Sequence, residues 1–182
     1  MKAVLLALSA VFLLVACNRH MQQERTLLQP MHGNLSAYVQ NKPYRVEKDV
    51  HSDTLSFMDL FWLNKEHPDS VFLEIKNGKT LYLSWYFAGQ KAGQVFDGKL
   101  VKQQYFEVYL KNKKTEIPPA FNFLYGNHDI YRIRISITKD NSIVTDVLRN
   151  GRGNVLLIIM GEKYFIKSFF KTGHTGIAQV VQ

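Results

Sequence analysis

The chain has 182 residues, of which 46% are hydrophobic, 13% aromatic and 21% charged, with Gly 11 and Pro 5. This composition excludes wholesale disorder and collagen-like or Pro/Gly-rich low complexity, and the length suits one domain with a tail. A single cysteine excludes an intrachain disulfide and a cysteine-rich zinc site, and the formal charge of +8 makes the surface moderately basic.

Residues 1–16 read Met1-Lys2, then an apolar stretch from Ala3 to Ala16 broken only by Ser9. One cation ahead of an apolar core is a secretory signal pattern. The stretch is shorter than the roughly 20 residues a membrane span needs. It ends in Leu14-Val15-Ala16-Cys17, with the only cysteine in last place. Leu-Val-Ala-Cys resembles the lipobox of bacterial lipoproteins, in which a small residue precedes the cut and the cysteine thiol carries the lipid. The resemblance implies removal of residues 1–16, lipidation of Cys17 (the palmitate-type anchor) and attachment to a membrane rather than passage through it. Lys2 would leave with the signal and lower the net charge by one. In that family an Asp after the lipidated cysteine resembles an inner-membrane retention signal. Asn18 stands there, and no acidic run follows, which implies the outer membrane and its periplasmic face.

Residues 18–35 are polar and irregular, with Pro30 and Gly33, and read as part of a tether over 17–37. A single domain is expected over 38–182, with no internal repeat. The spacing of Leu55, Met58 and Trp62, widened by Phe57, Leu60 and Phe61, predicts a helix over 53–64, capped by Ser52 or Asp53 and ended by His67-Pro68-Asp69.

Beyond that the pattern is strand and turn. Alternation predicts strands near 42–49, 70–76, 79–88, 93–96, 99–110, 121–125, 130–138, 143–149, 154–160 and 163–170. Lys76-Asn77-Gly78 fits a three-residue loop with Gly78 left-handed, and the expected register sets Leu73 across from Leu81 and Val71 across from Leu83. A three-residue loop over Lys139-Asp140-Asn141 pairs Ile137 with Ile143, Ile135 with Thr145 and Ile133 with Val147, and sets Arg134 opposite Asp146. Asp97-Gly98 and Gly161-Glu162 read as two-residue hairpin loops, Gly151-Arg152-Gly153 as a hairpin loop, and Asn127-His128-Asp129 as a turn.

The expected fold is therefore all-β: an antiparallel meander closing into an up-and-down barrel or strongly curved sheet, because long meanders must remove their edges. Over 42–170 this topology resembles the lipocalin or calycin group, although the Gly-x-Trp motif of the first strand is absent. The resemblance implies a barrel whose inward face can hold a ligand. Leu83, Trp85, Phe87, Phe106, Val108, Tyr131 and Ile133 are the candidate lining residues, with simple core packing as the alternative.

Catalytic signatures are missing: no Gly-x-Ser-x-Gly, His-Glu-x-x-His or Walker-type loop occurs. The six histidines show no metal-ligand spacing, and the carboxylates are scattered. No enzyme activity, cofactor or metal is expected. The basic clusters Lys111, Lys113 and Lys114, the pair Arg132 and Arg134, and the pair Lys167 and Lys171 allow either a solvated surface or attraction to anionic envelope material. Arg134 is expected to face outward in an exposed pair with Asp146. The resulting expectation is an anchored, non-catalytic protein that binds a small apolar or amphipathic, lipid-like molecule, or else a module that docks an envelope protein or glycan and holds nothing inside, with an enzyme acting on cell-envelope polymers as the third and least favoured reading. Nucleic acid is not an expected partner in that compartment.

Overall fold

The alternation read along the chain becomes one antiparallel sheet of eleven strands in the computed structural model, which describes residues 27–48, 55–63, 68–116, 125–155 and 158–180. The elements are β1 (Leu28–Gln29), β2 (Asn34–Gln40), β3 (Arg45–Lys48), α1 (Phe57–Leu60), β4 (Ser70–Lys76), β5 (Thr80–Phe87), β6 (Gln90–Val101), β7 (Tyr105–Glu116), β8 (Tyr125–Thr138), β9 (Ile143–Val155), β10 (Ile158–Phe170) and β11 (Thr172–Val180). Their order is β11-β2-β4-β5-β6-β7-β8-β9-β10-β3, with β1 added to β8. The path is strongly curved and is not closed. Its two end strands continue strands at the opposite end of the path: β3 follows β2, and β11 follows β10. At that corner Gln40 N–H donates to Lys171 O and Tyr44 N–H donates to Phe169 O, both at 2.9 Å.

The inward residues of the strands form one core with α1. Leu35, Val39, Leu73, Ile75, Leu81, Ile133, Ile135 and Phe170 are all essentially inaccessible, and they share a cluster with Phe57, Met58, Leu60 and Phe61 of the helical turn. Fully burying one such side chain stabilises by roughly 1.5–3 kcal/mol. The helix is a single turn. Ser56 caps it, its Oγ accepting from Asp59 N–H while the Asp59 carboxylate accepts from Ser56 N–H. Ser52 and Asp53, expected as caps, lie outside the described residues. Phe57 packs edge-on against Phe170 at 5.1 Å, and Phe61 lies 5.1 Å from Phe96. Residues 27–37, expected as the end of the tether, belong to the fold, while 17–26 lie outside the described residues. Met31 is buried, its N–H donates to Gln103 O at 2.9 Å, and Gly78 N–H donates to Gly33 O at 2.6 Å.

The loop over Lys139-Asp140-Asn141 has the expected register, including Arg134 opposite Asp146. The loop after Lys76 has the expected length, but the register differs: Leu73 pairs with Leu83 and Ile75 with Leu81. Asn77 and Gly78 both take positive φ, 54° and 62°, so the chain reverses within these two residues and Lys76 faces Thr80.

Four expected turns are strand interior. Asp97-Gly98 lies within β6, and the reversal comes later, at Lys102 and Gln103, both with positive φ. Gly98 serves a close approach instead: a Cβ there would sit 2.4 Å from the Phe106 ring. β6 bends here, pairing with β5 up to Asp97 and with β7 from Gly98. Gly151-Arg152-Gly153 lies inside β9 and Gly161-Glu162 inside β10, directly paired across the ladder. A Cβ on Gly161 would lie 2.0 Å from Gly151 O, so these glycines let two backbones touch. Asn127-His128-Asp129 lies inside β8.

Candidate functional site

Six of the seven candidate lining residues are core. Leu83, Trp85, Phe106, Val108, Tyr131 and Ile133 are buried members of the single cluster, whereas Phe87 lies outside it and is 48% exposed. Phe87 ends β5 just before the Ala88-Gly89 reversal, at the edge of the hairpin where it pairs with Gln90. Burial of Tyr131 pushes its phenol up to about 12, with Tyr164 adding to the rise and Arg149 and Trp62 opposing it. Two hydroxyls face this interior as cross-strand neighbours: Thr145 on β9 and Ser168 on β10, both buried, with neither oxygen hydrogen-bonded.

Concavity appears instead on the outer face of β2, β4 and β5. In each of these strands the even-numbered residues point outward, opposite the core set. Tyr38 pairs with Phe72, Phe72 with Ser84 and Ser84 with Gly93 of β6, so one row runs from two aromatic rings to two small residues. The Tyr38 and Phe72 rings meet at 4.9 Å with a 53° tilt. Tyr86, 67% exposed, pairs with Lys91 beside that row. The result is a half-open groove of about 450 Å³ lined by Tyr38, Pro68, Asp69, Ser70, Phe72, Ser84, Trp85, Tyr86 and Lys91. On its other flank Tyr82 pairs with Val95, and Lys76 Nζ lies 4.7 Å above the Tyr82 ring. Tyr38, Phe72 and Tyr86 are not among the lining residues expected from the sequence. The signal that could have found them is a strand aromatic on both faces: in Thr80–Phe87, Tyr82 and Tyr86 alternate with Leu81, Leu83 and Trp85.

The outer face of the other layer is arranged differently. Lys99, Glu107, Arg134, Asp146, Lys167 and Glu47 are successive direct partners across β6, β7, β8, β9, β10 and β3, so charge alternates in sign along one row. Glu107 is the pivot, at 4% exposure. Its Oε2 accepts from Arg134 Nε at 2.8 Å, with Arg132 at 3.7 Å and Lys99 at 3.6 Å from the carboxylate. Tyr105 covers the Arg134 guanidinium at 4.3 Å. Arg134 therefore does face outward, yet it is mostly covered and its close partner is Glu107, not an exposed Asp146. Burial alone would raise the Glu107 carboxyl; the Arg134 hydrogen bond, with the Arg134 and Arg132 charges and Tyr109, overcomes it and holds the carboxyl below the ordinary value. For Asp146 burial wins: despite Lys167 and Arg134, its carboxyl is pushed up to about 6.

Among the expected basic clusters, Lys111 is engaged by Asp129 at 3.2 Å, and Arg149 reaches the same carboxylate at 3.1 Å. Among the described residues no group of His, Cys, Asp or Glu gathers that could hold a metal ion. Cys17 lies outside the described residues. Comparison with protein-family models, with curated proteins and with solved structures finds no match.

Proposed function

We propose that the protein is a lipid-anchored, non-catalytic docking module of the bacterial cell envelope, held at Cys17 by its lipobox cysteine and facing the periplasm. Docking takes place on the outer aromatic groove of β2, β4 and β5, not on the inward face of the curved sheet. The observation that carries this reading is the division of aromatics: Phe106, Tyr131 and Phe170 are spent on the core, while Tyr38, Phe72 and Tyr86 line an open groove. Exposed aromatic surface of this kind costs solubility and is retained where something covers it. Rings with a polar end suit such a face, since they supply contact area at small entropic cost.

The test mixes the purified full-length protein in detergent with detergent-extracted, insoluble envelope material, so that lipid insertion contributes nothing. The expected result is co-sedimentation that Tyr86→Ala abolishes. Failure to co-sediment, or co-sedimentation indifferent to Tyr86→Ala, overturns the docking reading. The anchor is tested separately: Cys17→Ser should abolish acylation and release the protein from membranes, and unacylated wild-type protein from a lipoprotein-processing host would refute it.

A further inference from the structure

The geometry points to a glycan as the occupant of this groove: a short run of pyranose rings lying across β4, β5 and the start of β6. This inference rests on the docking reading above and names the chemistry of its partner. Three features select it. The walls are aromatic faces, Tyr38 and Phe72 on one side and the exposed Tyr86 on the other, which match the apolar C–H faces of a sugar ring. Between them the lining is low, because Ser84 has a small side chain and its direct partner on β6 is Gly93, so a flat body one ring thick can lie against the sheet. The polar groups at the edges are mixed: the hydroxyls of Ser70 and Ser84, the carboxylate of Asp69 and the ammonium of Lys91 offer both acceptors and donors, as a ligand covered in hydroxyls requires.

The same features argue against the other occupants. A lipid tail needs apolar enclosure, and this groove is open to solvent and bears polar groups. A nucleic acid strand needs an excess of cations along its path, whereas the groove lining holds one cation, Lys91, and one anion, Asp69. An amphipathic helix needs a continuous apolar floor, which Ser84 and Gly93 do not supply.

The experiment is calorimetric titration of the full-length protein in detergent with cellohexaose, chitohexaose and maltohexaose in turn. At least one is expected to bind in the millimolar range or tighter. Tyr86→Ala and Tyr38→Ala should each weaken it by roughly tenfold, the loss of one aromatic face. Trp62→Ala removes another exposed ring, one that packs at 4.9 Å on Tyr131 away from the groove, and should leave binding unchanged. No binding of any of the three at millimolar concentration overturns the glycan, as does binding that survives Tyr86→Ala or is lost with Trp62→Ala. If the saccharides fail while envelope co-sedimentation still depends on Tyr86, the docking reading stands and its partner is not a glycan; if both fail, both fall.

Discussion

Replacing Asp146 by Asn should stabilise the protein at neutral pH and leave it nearly unchanged in mild acid. Asp146 sits between Arg134 and Lys167 in the cross-strand row, with Glu47 one strand further on and Arg132 nearby, yet burial outweighs these cations and lifts its carboxyl from 3.8 to about 6. A carboxyl whose folded value lies above its unfolded value binds its proton more tightly when folded. Stability therefore falls as pH rises from about 4 through about 6, where the folded protein must give that proton up. A shift of this size corresponds to about 3 kcal/mol as an upper bound, since the side chain is only partly shielded from water. Glu107 acts in the opposite sense: held below 4.5, it contributes stability above that value and loses it as the solution is acidified further. The two windows barely overlap, so they can be separated. Urea unfolding of wild type and Asp146→Asn at about pH 4 and about pH 8 measures the difference directly. The variant should be near wild type at the lower pH and gain 1–3 kcal/mol, roughly, at the higher. An advantage that does not change with pH, or a variant weaker than wild type at about pH 8, would refute the burial argument and make the Arg134 and Lys167 attractions dominant.

Gly98→Ala should destabilise by at least about 1–3 kcal/mol, because its Cβ would meet the Phe106 ring at 2.4 Å and Glu107 O at 2.7 Å; a wild-type melting temperature would show that the bend in β6 relaxes freely. Thr145→Val keeps the shape and removes a buried hydroxyl without a hydrogen-bond partner, so a gain of about 1 kcal/mol is expected in urea unfolding. A loss there would show that the hydroxyl is satisfied. Ala88 is held at φ 49° in the β5–β6 reversal, and Ala88→Gly should stabilise by about 0.5–1 kcal/mol; equal or lower stability would place the strain elsewhere.

What the sequence made legible is the part governed by period. Strand cores with strict alternation, such as Ile133, Ile135 and Ile137 against Ile143, Thr145 and Val147, announced both their existence and their register. What it hid is the part governed by glycine. A Gly-containing dipeptide signals a reversal where positive φ turns the chain, as at Asn77-Gly78, but Gly98 answers a different need, contact with a ring, and Gly161, at φ 106°, stays within its strand and lets a facing backbone approach. Nothing local separates the two uses, and the misread turns at 97–98, 151–153 and 161–162 all share that cause. β2 was hidden by its polar neighbours, although Leu35, Ala37 and Val39 alternate inward once β4 is beside them. In the same way, the core aromatics were legible as inward residues, while the groove was not, because it arises only when the outward residues of three separate strands fall into one row.

The contrast between the two outer faces bears on how a basic protein finds its partner. Read from composition, Arg132, Arg134 and Lys167 could serve as an anion-binding surface. Folded, they face Glu107, Asp146 and Glu47 across the ladder, so their charge is largely neutralised by neighbours on the same sheet. Coulombic steering toward anionic envelope material must then come from cations outside this row, and it would act on the rate of encounter and weaken with salt. The aromatic groove is placed differently. Its lining holds one cation, Lys91, and one anion, Asp69, beside its aromatic rings, so affinity there should depend little on ionic strength. If the proposed docking holds, retention belongs to the groove and encounter to cations outside the charged row, and salt is the variable that separates them.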